Sequence, residues 1–239
     1  VVPAPAEPED GGDEELPFAR IAGYRLLHRL GTGGMGTVYL AEQESLGRQV
    51  ALKLIRPELI GSRSASERFQ REARALAALR DPGVVTVYGF GVEQGVHYLA
   101  MELVPGLDLT ETIDQAREEG AAVAPADAVR WAADIARALQ AVHGQGIVHR
   151  DVKASNIRIA PDGRAVLVDF GLSREQGAEG PTLTRSFVGS PAYASPEQVR
   201  GAGELDPRSD VYSLGVTLYR AVTGRPPFAA ESMEALFRQ

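Results

Sequence analysis

Two lysines, Lys53 and Lys153, and a single asparagine, Asn156, stand in a chain that carries 23 arginines. Positive charge is plentiful, and almost all of it is guanidinium. Arginine is a poor substitute where a compact, flexible ammonium must reach a phosphate oxygen. Neither Asp nor Ser supplies the neutral amide oxygen that Asn places beside a divalent cation. The positions where Lys and Asn survive are therefore marked as chemical, and each lies in an ordered run. Lys53 ends Val50-Ala51-Leu52-Lys53, and Lys153 and Asn156 lie in His149-Arg150-Asp151-Val152-Lys153-Ala154-Ser155-Asn156.

A glycine cluster precedes them. Gly31-Thr32-Gly33-Gly34-Met35-Gly36-Thr37-Val38 fits G-x-G-x-x-G-x-V, a weak signal alone, because glycine-rich turns are common. A dinucleotide-binding fingerprint needs a helix after the glycines, whereas β-type Val38-Tyr39-Leu40-Ala41 follows here. No Gly-Lys-Ser/Thr ends the run, which excludes a Walker A loop. What remains is a strand–loop–strand hairpin whose backbone N–H groups can fold over phosphates. Lys53 sits 15 residues after Val38, in an otherwise apolar strand. A charge there needs a partner, and the next helix offers Glu72, flanked by Phe69, Ala73 and Leu76.

The elements that position these residues follow from periodicity. Tyr24–Leu30 and Val38–Ala41 alternate like strands around the glycines, and Arg48 to Ile55 is a third strand. Its pleat puts Ala51, Lys53 and Ile55 on one face and Val50, Leu52 and Leu54 on the other. Ser64-Ala65-Ser66-Glu67 reads as a capping box opening a helix that Asp81-Pro82-Gly83 stops. Strands follow near 84–90 and 96–102, and Val104-Pro105-Gly106 marks a boundary. Beyond it Pro125 opens a helix closed by Gly144 or Gly146. Short strands at 157–159 and 165–168 flank a Pro161-Asp162-Gly163 turn. Residues 172–190 form a polar loop long enough to be functional. A helix spans Pro207 to Thr223 and another starts near Glu231.

The bulk numbers suit a globular chain: 239 residues, 44% apolar and 24% charged. Residues 1–16 hold six acids and no base, so the net charge of -7 is concentrated there. That stretch cannot bury enough surface to offset ordering and reads as disordered. No basic stripe points to nucleic acid, and no apolar run approaches the ~18 residues of a membrane span. The absence of cysteine excludes a disulfide framework and suits a reducing cytoplasm.

His149-Arg150-Asp151…Lys153…Asn156 followed by Asp169-Phe170-Gly171 is far more specific than the glycine run. With Ser195-Pro196-Glu197 and Ser209-Asp210-Val211-Tyr212-Ser213-Leu214-Gly215, these motifs make the chain resemble a protein kinase. The resemblance runs from Tyr24 to the end and is strongest to the bacterial eukaryotic-like (Hanks-type) serine/threonine kinases. It implies an α+β, two-lobed protein-kinase fold with a small β-rich N-lobe and a larger helical C-lobe. The expected division is a leader over 1–20, an N-lobe over 21–104 and a C-lobe over 105–239.

The resemblance also implies roles. Asp151 would orient the substrate hydroxyl and accept its proton, and Lys153 would neutralise the transferring phosphoryl group. Lys53, held by Glu72, would bind the α- and β-phosphates of ATP, with Asn156 and Asp169 holding Mg²⁺. Gly31 to Thr37 would cover the phosphates. Leu30, Val38 and Ala51 would roof the base, with Met101 as gatekeeper and the backbone of Glu102 and Val104 reading the adenine edge. Asp108 would accept a ribose hydroxyl. Arg158 departs from the apolar residue usual beneath the base; its methylene stem is expected there, with the guanidinium in solvent. Arg150 marks a kinase switched on by loop phosphorylation, with Thr182 and Thr184 where this family carries phosphothreonine. Ser190 keeps the hydroxyl of the substrate-docking loop.

The function implied is MgATP-dependent phosphorylation of Ser/Thr hydroxyls on proteins, in signalling. Expected partners are a protein substrate and a second copy for trans-autophosphorylation, with no nucleic acid and no membrane contact within the segment. The expected location is cytoplasmic, as a free domain or as part of a membrane-anchored kinase. The rival from another class is a pseudokinase-like binding or scaffold module, which Arg158 alone supports. A small-molecule phosphotransferase of similar fold is third. Because Gln239 falls inside a helix, the C-lobe reads as truncated. Glu197, which in the family pairs with an arginine of the final helices, is expected to be buried without its partner. Residues 1–239 are accordingly expected to be poorly soluble or weakly active.

Overall fold

The computed structural model describes residues 16–171, 191–200, 205–230 and 233–236. Its strands are β1 (Arg20–Ile21), β2 (Tyr24–Gly33), β3 (Gly36–Gln43), β4 (Arg48–Ile55), β5 (Val87–Glu93), β6 (Val96–Met101), β7 (Leu107–Asp108), β8 (Ile157–Ile159) and β9 (Ala165–Leu167). Its α-helices are α1 (Arg63–Ala78), α2 (Leu109–Glu118), α3 (Pro125–His143), α4 (Pro196–Val199), α5 (Pro207–Thr223) and α6 (Met233–Leu236).

An antiparallel sheet in the order β1-β2-β3-β4-β6-β5 builds the first lobe, and α1 packs against it. β4 is buried on both faces, as its unbroken apolar sequence requires. Ala51 and Ile55 belong to the main core with Phe69, Ala73 and Leu76 of α1, while Val50, Leu52 and Leu54 face a second cluster. Ile21 and Tyr24 complete that second cluster, and Leu16 and Phe18 pack on it. Leu16 and Phe18, which fall within the expected 1–20 leader, thus pack on the sheet, and β1 is its sixth strand. Apolar burial explains this, because the leader's last residues cover the outer sheet face.

Two helix starts differ from expectation. The N-cap of α1 is Ser62, whose hydroxyl accepts from the Ala65 amide at 3.1 Å, so the helix opens before Ser64. Helix α2 is an element the periodicity did not reveal. Asp108 and Glu111 form its capping box, each side chain accepting from the other's backbone N–H. Helices α3 and α5 keep their expected bounds.

The main core runs without a break from β4 and α1 into Trp131, Ile135, Leu139 and Val142 of α3 and on to Ile157 and Leu167. The segment 144–156 thus leaves α3 and enters β8 between two buried elements. The parallel bridge of Val84 with Leu167 joins the lobes behind it. None of the described helices is long and apolar enough to cross a membrane.

Candidate active site

The glycine run is the hairpin end of β2 and β3, closed by Thr32 opposite Thr37 and Gly33 opposite Gly36. Gly36 has φ +154°, and a Cβ there would stand 2.0 Å from the Leu54 carbonyl oxygen. Only glycine lets the hairpin lie this close on β4. Met35 at the tip is buried, and its carbonyl accepts from the Arg56 amide at 3.2 Å. Its sulfur lies 4.0 Å from Lys53 Nζ. Of the residues expected around the base, Val38, Ala51, Met101 and Val104 belong to the main core or pack on it, whereas Leu30 is exposed.

Lys53 is 3% exposed, and its ammonium is ion-paired with the Asp169 carboxylate. The expected pairing with Glu72 is not the one observed. Asp169 takes a left-handed backbone, φ 58°, as does Arg150, φ 67°. Glu72 does lie on the inner face of α1, yet its carboxylate stands 3.9 Å from Arg150 Nη1. Burial raises the Glu72 pKa above the usual glutamate value, opposed by the Arg150 charge. The exchange is reasonable physically, since a buried ammonium takes whichever carboxylate the backbone brings nearest.

The run 149–156 is held by buried groups. His149 is fully buried, and desolvation lowers its pKa against the pull of Asp210. Its ring is neutral: Nδ1 accepts from the Asp151 amide at 3.2 Å, and Nε2 faces the Val168 carbonyl at 3.2 Å as donor. Phe170 lies against the ring, 4.6 Å between centroids. Asp210, 1% exposed, is the anchor. It accepts from the backbone amides of His149 and Arg150 and from His143 Nε2, each at 2.8 Å. The roles of His143 and Asp210 were not drawn from the sequence. A buried acid in the first turn of the otherwise apolar α5 is the signal that marks Asp210.

This anchoring places three side chains together. Lys153 Nζ stands 3.0 Å from Asp151 Oδ2. Asn156 Nδ2 donates to the Asp151 carbonyl at 2.8 Å and to its Oδ2 at 3.1 Å. An amide nitrogen engaged in this way would leave the Asn156 oxygen as a neutral ligand group. Asn156 and Asp169 would offer hard oxygen donors of the kind that Mg²⁺ takes together with substrate phosphates. Among the described residues there is no cluster of three or more His, Cys, Asp or Glu side chains fit for a metal.

The boundary segment also carries expected site residues. Glu102 donates its amide to the Thr86 carbonyl at 2.8 Å. Asp108 spends one carboxylate oxygen on the N-cap bond to Glu111. The Arg158 guanidinium, expected in solvent, donates to the Gly106 carbonyl in an exposed hydrogen bond. On the far side, Gln198 of α4 donates to the Arg150 carbonyl at 3.0 Å. Glu197 is half-buried and accepts from the Ser209 hydroxyl at 2.5 Å. Burial is the largest single influence and opposes its ionisation, but the hydrogen bonds from Ser209, its own backbone amide and Ser195 together prevail, and the pKa falls below the usual value. The Ser209 hydroxyl thus gives the carboxylate a hydrogen-bond donor, in place of the arginine expected to be missing. Thr182, Thr184 and Ser190 lie outside the described residues.

Comparison with known proteins agrees with this geometry. Residues 24–239 match the protein kinase domain family. The chain is 42% identical over 220 residues to the serine/threonine-protein kinase AfsK of Streptomyces coelicolor, covering 91% of this chain and 27% of that protein. It is 39% identical over 214 residues to PrkC of Bacillus subtilis, covering 89% and 32%. It is 40% identical over 222 residues to PknB of Mycolicibacterium smegmatis, covering 90% and 35%. The chain thus spans roughly a third or less of these relatives. The crystal structure of the PknI kinase domain of Mycobacterium tuberculosis superposes with a TM-score of 0.70 at 30% identity, covering 88% of this chain and 76% of that one. A hairpin of glycines over a buried lysine, an anchored Asp-Lys-Asn constellation and these matches place the chain in the protein kinase family, among the bacterial serine/threonine kinases.

Proposed function

We propose that this chain transfers the γ-phosphoryl group of MgATP to Ser or Thr hydroxyls of protein substrates. The observation that carries the reading is the Asp151 carboxylate fixed between Lys153 and Asn156, in a chain that also ion-pairs Lys53 with Asp169. Phosphoryl transfer asks mainly for positioning and charge neutralisation. Asp151 orients an incoming hydroxyl and takes its proton. The Lys153 ammonium, already within 3.0 Å of that carboxylate, meets the negative charge of the transferring group. Asn156 and Asp169 would hold Mg²⁺, which supplies charge neutralisation at the phosphate oxygens. Lys53, released from Asp169, would bind the α- and β-phosphates beneath the Gly31–Thr37 hairpin, with Glu72 as its counter-ion. Val38, Ala51, Met101 and Val104 would enclose the adenine, the Glu102 backbone would read its edge and Asp108 would meet the ribose.

In this reading the chain is a signalling kinase of the cytoplasm, activated by phosphate on Thr182 or Thr184 and paired with a second copy for autophosphorylation in trans. Arg150 beside Asp151 supports that switch, because a phosphate brings about -1.5 to -2 charges that a guanidinium can meet. The test is transfer of radiolabelled phosphate from ATP to a protein acceptor. Lys53→Met should abolish it. Asp151→Asn should keep nucleotide binding and lower the rate by about 10²–10⁴. Wild-type turnover by the Asp151→Asn protein would reject the assignment.

A further inference from the structure

The peptide unit between Arg150 and Asp151 is held at both of its polar ends. Its N–H donates to His149 Nδ1 at 3.2 Å, and its carbonyl accepts from Gln198 Nε2 at 3.0 Å. His149 is a local partner, whereas Gln198 reaches the carbonyl from α4, 48 residues away in sequence. The Gln198 amide has one orientation available. Its Oε1 accepts from the Ser195 amide at 2.9 Å in the capping box of α4, which leaves Nε2 for Arg150. Reversed, carbonyl would face carbonyl and N–H₂ would face N–H. Helix α4 is itself fixed on α5: the Ser209 hydroxyl donates to Glu197, and the Ser213 hydroxyl donates to the Tyr193 carbonyl at 2.8 Å. Gln198 therefore faces the 149–156 run from a fixed base.

We propose that Gln198 is a positioning residue for phosphoryl transfer: by donating to the Arg150 carbonyl it sets the aim of the Asp151 carboxylate at the acceptor hydroxyl. The inference rests on the reading of Asp151 as the group that takes the hydroxyl proton. Rotation of the 150–151 peptide plane would carry Asp151 with it, away from Lys153 and Asn156. Arg150 already has a left-handed backbone, φ 67°, a conformation that persists only where the surroundings enforce it. Asp210 enforces it at the Arg150 amide, 2.8 Å away, and Gln198 enforces it at the carbonyl. One side chain thus has two separable duties, since Oε1 caps α4 and Nε2 holds the catalytic run. Glutamate divides them: it keeps the capping oxygen and loses the N–H₂.

Phosphate transfer from ATP to a protein acceptor, thermal melting and amide exchange at residue 151, measured on wild type, Gln198→Glu and Gln198→Leu, test this. Gln198→Glu should melt close to wild type, and its Asp151 amide should exchange faster. At neutral pH its kcat should fall about 10- to 100-fold, the scale on which a misplaced reacting group is felt, with KM for ATP within about twofold. A carboxylate facing a carbonyl has a raised pKa, and once protonated its O–H restores the donor. The ratio of Gln198→Glu to wild-type kcat should therefore climb as pH is lowered toward ~5, a recovery that Gln198→Leu cannot show. Wild-type kcat in Gln198→Glu would overturn the inference. So would a loss that is equal at every pH and tracks a fall in melting temperature, which leaves Gln198 a cap of α4 alone. Should Gln198→Glu fail to fold, a folded Gln198→Leu decides: native kcat rejects the inference, and lowered kcat at unchanged KM supports it. A folded wild-type chain that transfers no phosphate would instead remove the phosphotransfer reading. Faster exchange at Asp151 in Gln198→Glu would then still bear out the contact, and native exchange there would overturn it as well.

Discussion

Substitution of Asp210 should damage the active site from a distance. Its carboxylate holds the amides of His149 and Arg150 and the His143 ring. In Asp210→Ala both amides lose their acceptor inside the core. Each buried N–H left unpaired costs about 1–3 kcal/mol, so the pair sets a loss of about 2–6 kcal/mol. Relaxation of Arg150 offsets part of this loss, because its left-handed backbone, φ 67°, costs about 1–3 kcal/mol and persists only while its surroundings enforce it. Against a domain stability of about 5–15 kcal/mol, the protein should remain folded but lose melting temperature by roughly 4–20 °C. Asp210→Asn keeps one acceptor and turns an N–H₂ toward one of the donors, so about half that loss is expected. Calorimetry, amide exchange at residues 149 and 150 and turnover form the assay. The exchange rates should rise and kcat should fall in both variants, more so in Asp210→Ala. A native melting temperature with both amides still protected in Asp210→Ala would refute the anchoring argument.

Gly36→Ala forces a Cβ against the Leu54 carbonyl, so the hairpin should lift from β4; thermal melting should drop by several degrees, and KM for ATP should rise more than kcat falls. His149 has a folded pKa below the ordinary histidine value because of burial, so its contribution to stability is present above the unfolded pKa and is lost as pH falls through 6.5. Denaturant titrations at pH 7.5 and 5.5 should show that loss, and His149→Gln, though less stable overall, should show a flatter dependence. Phosphate should map to peptides containing Thr182 or Thr184 in an active preparation, and the double alanine variant should phosphorylate an added protein substrate more slowly.

Much of this arrangement was legible in the residues. The scarcity of Lys and Asn singled out Lys53, Lys153 and Asn156, and the bounds of α3 and α5 followed from Pro at the start and glycine past the end. Double burial of β4 was readable from its pleat. What escaped depends on distances between elements remote in sequence. Whether Lys53 meets Glu72 or Asp169 turns on the backbone at Asp169, which no pattern in the chain encodes. Asp108 was read as a ligand group, yet Asp108 and Glu111 also match an N-cap pair, and α2 was missed because its apolar face is short. The bond from the Arg158 guanidinium to Gly106 was not foreseen, because it depends on a backbone carbonyl of the neighbouring strand.

The crossed ion pairs around Lys53 carry an energetic corollary. Two carboxylates, Asp169 and Glu72, and two cations, Lys53 and Arg150, occupy one partly buried quartet. If Lys53 trades Asp169 for Glu72, Asp169 is free to take a metal ion and Arg150 to take another anion, so every charge in the quartet still has a counter-charge. A rearrangement that strands no charge avoids the roughly 3–5 kcal/mol cost of breaking a buried pair. Were the two arrangements near in free energy, a bias of a few kcal/mol would be enough to invert their populations. Charges wired in this way would act as a rheostat: the set-point would move with whatever anion or metal is offered, while the folded framework around them stays as it is.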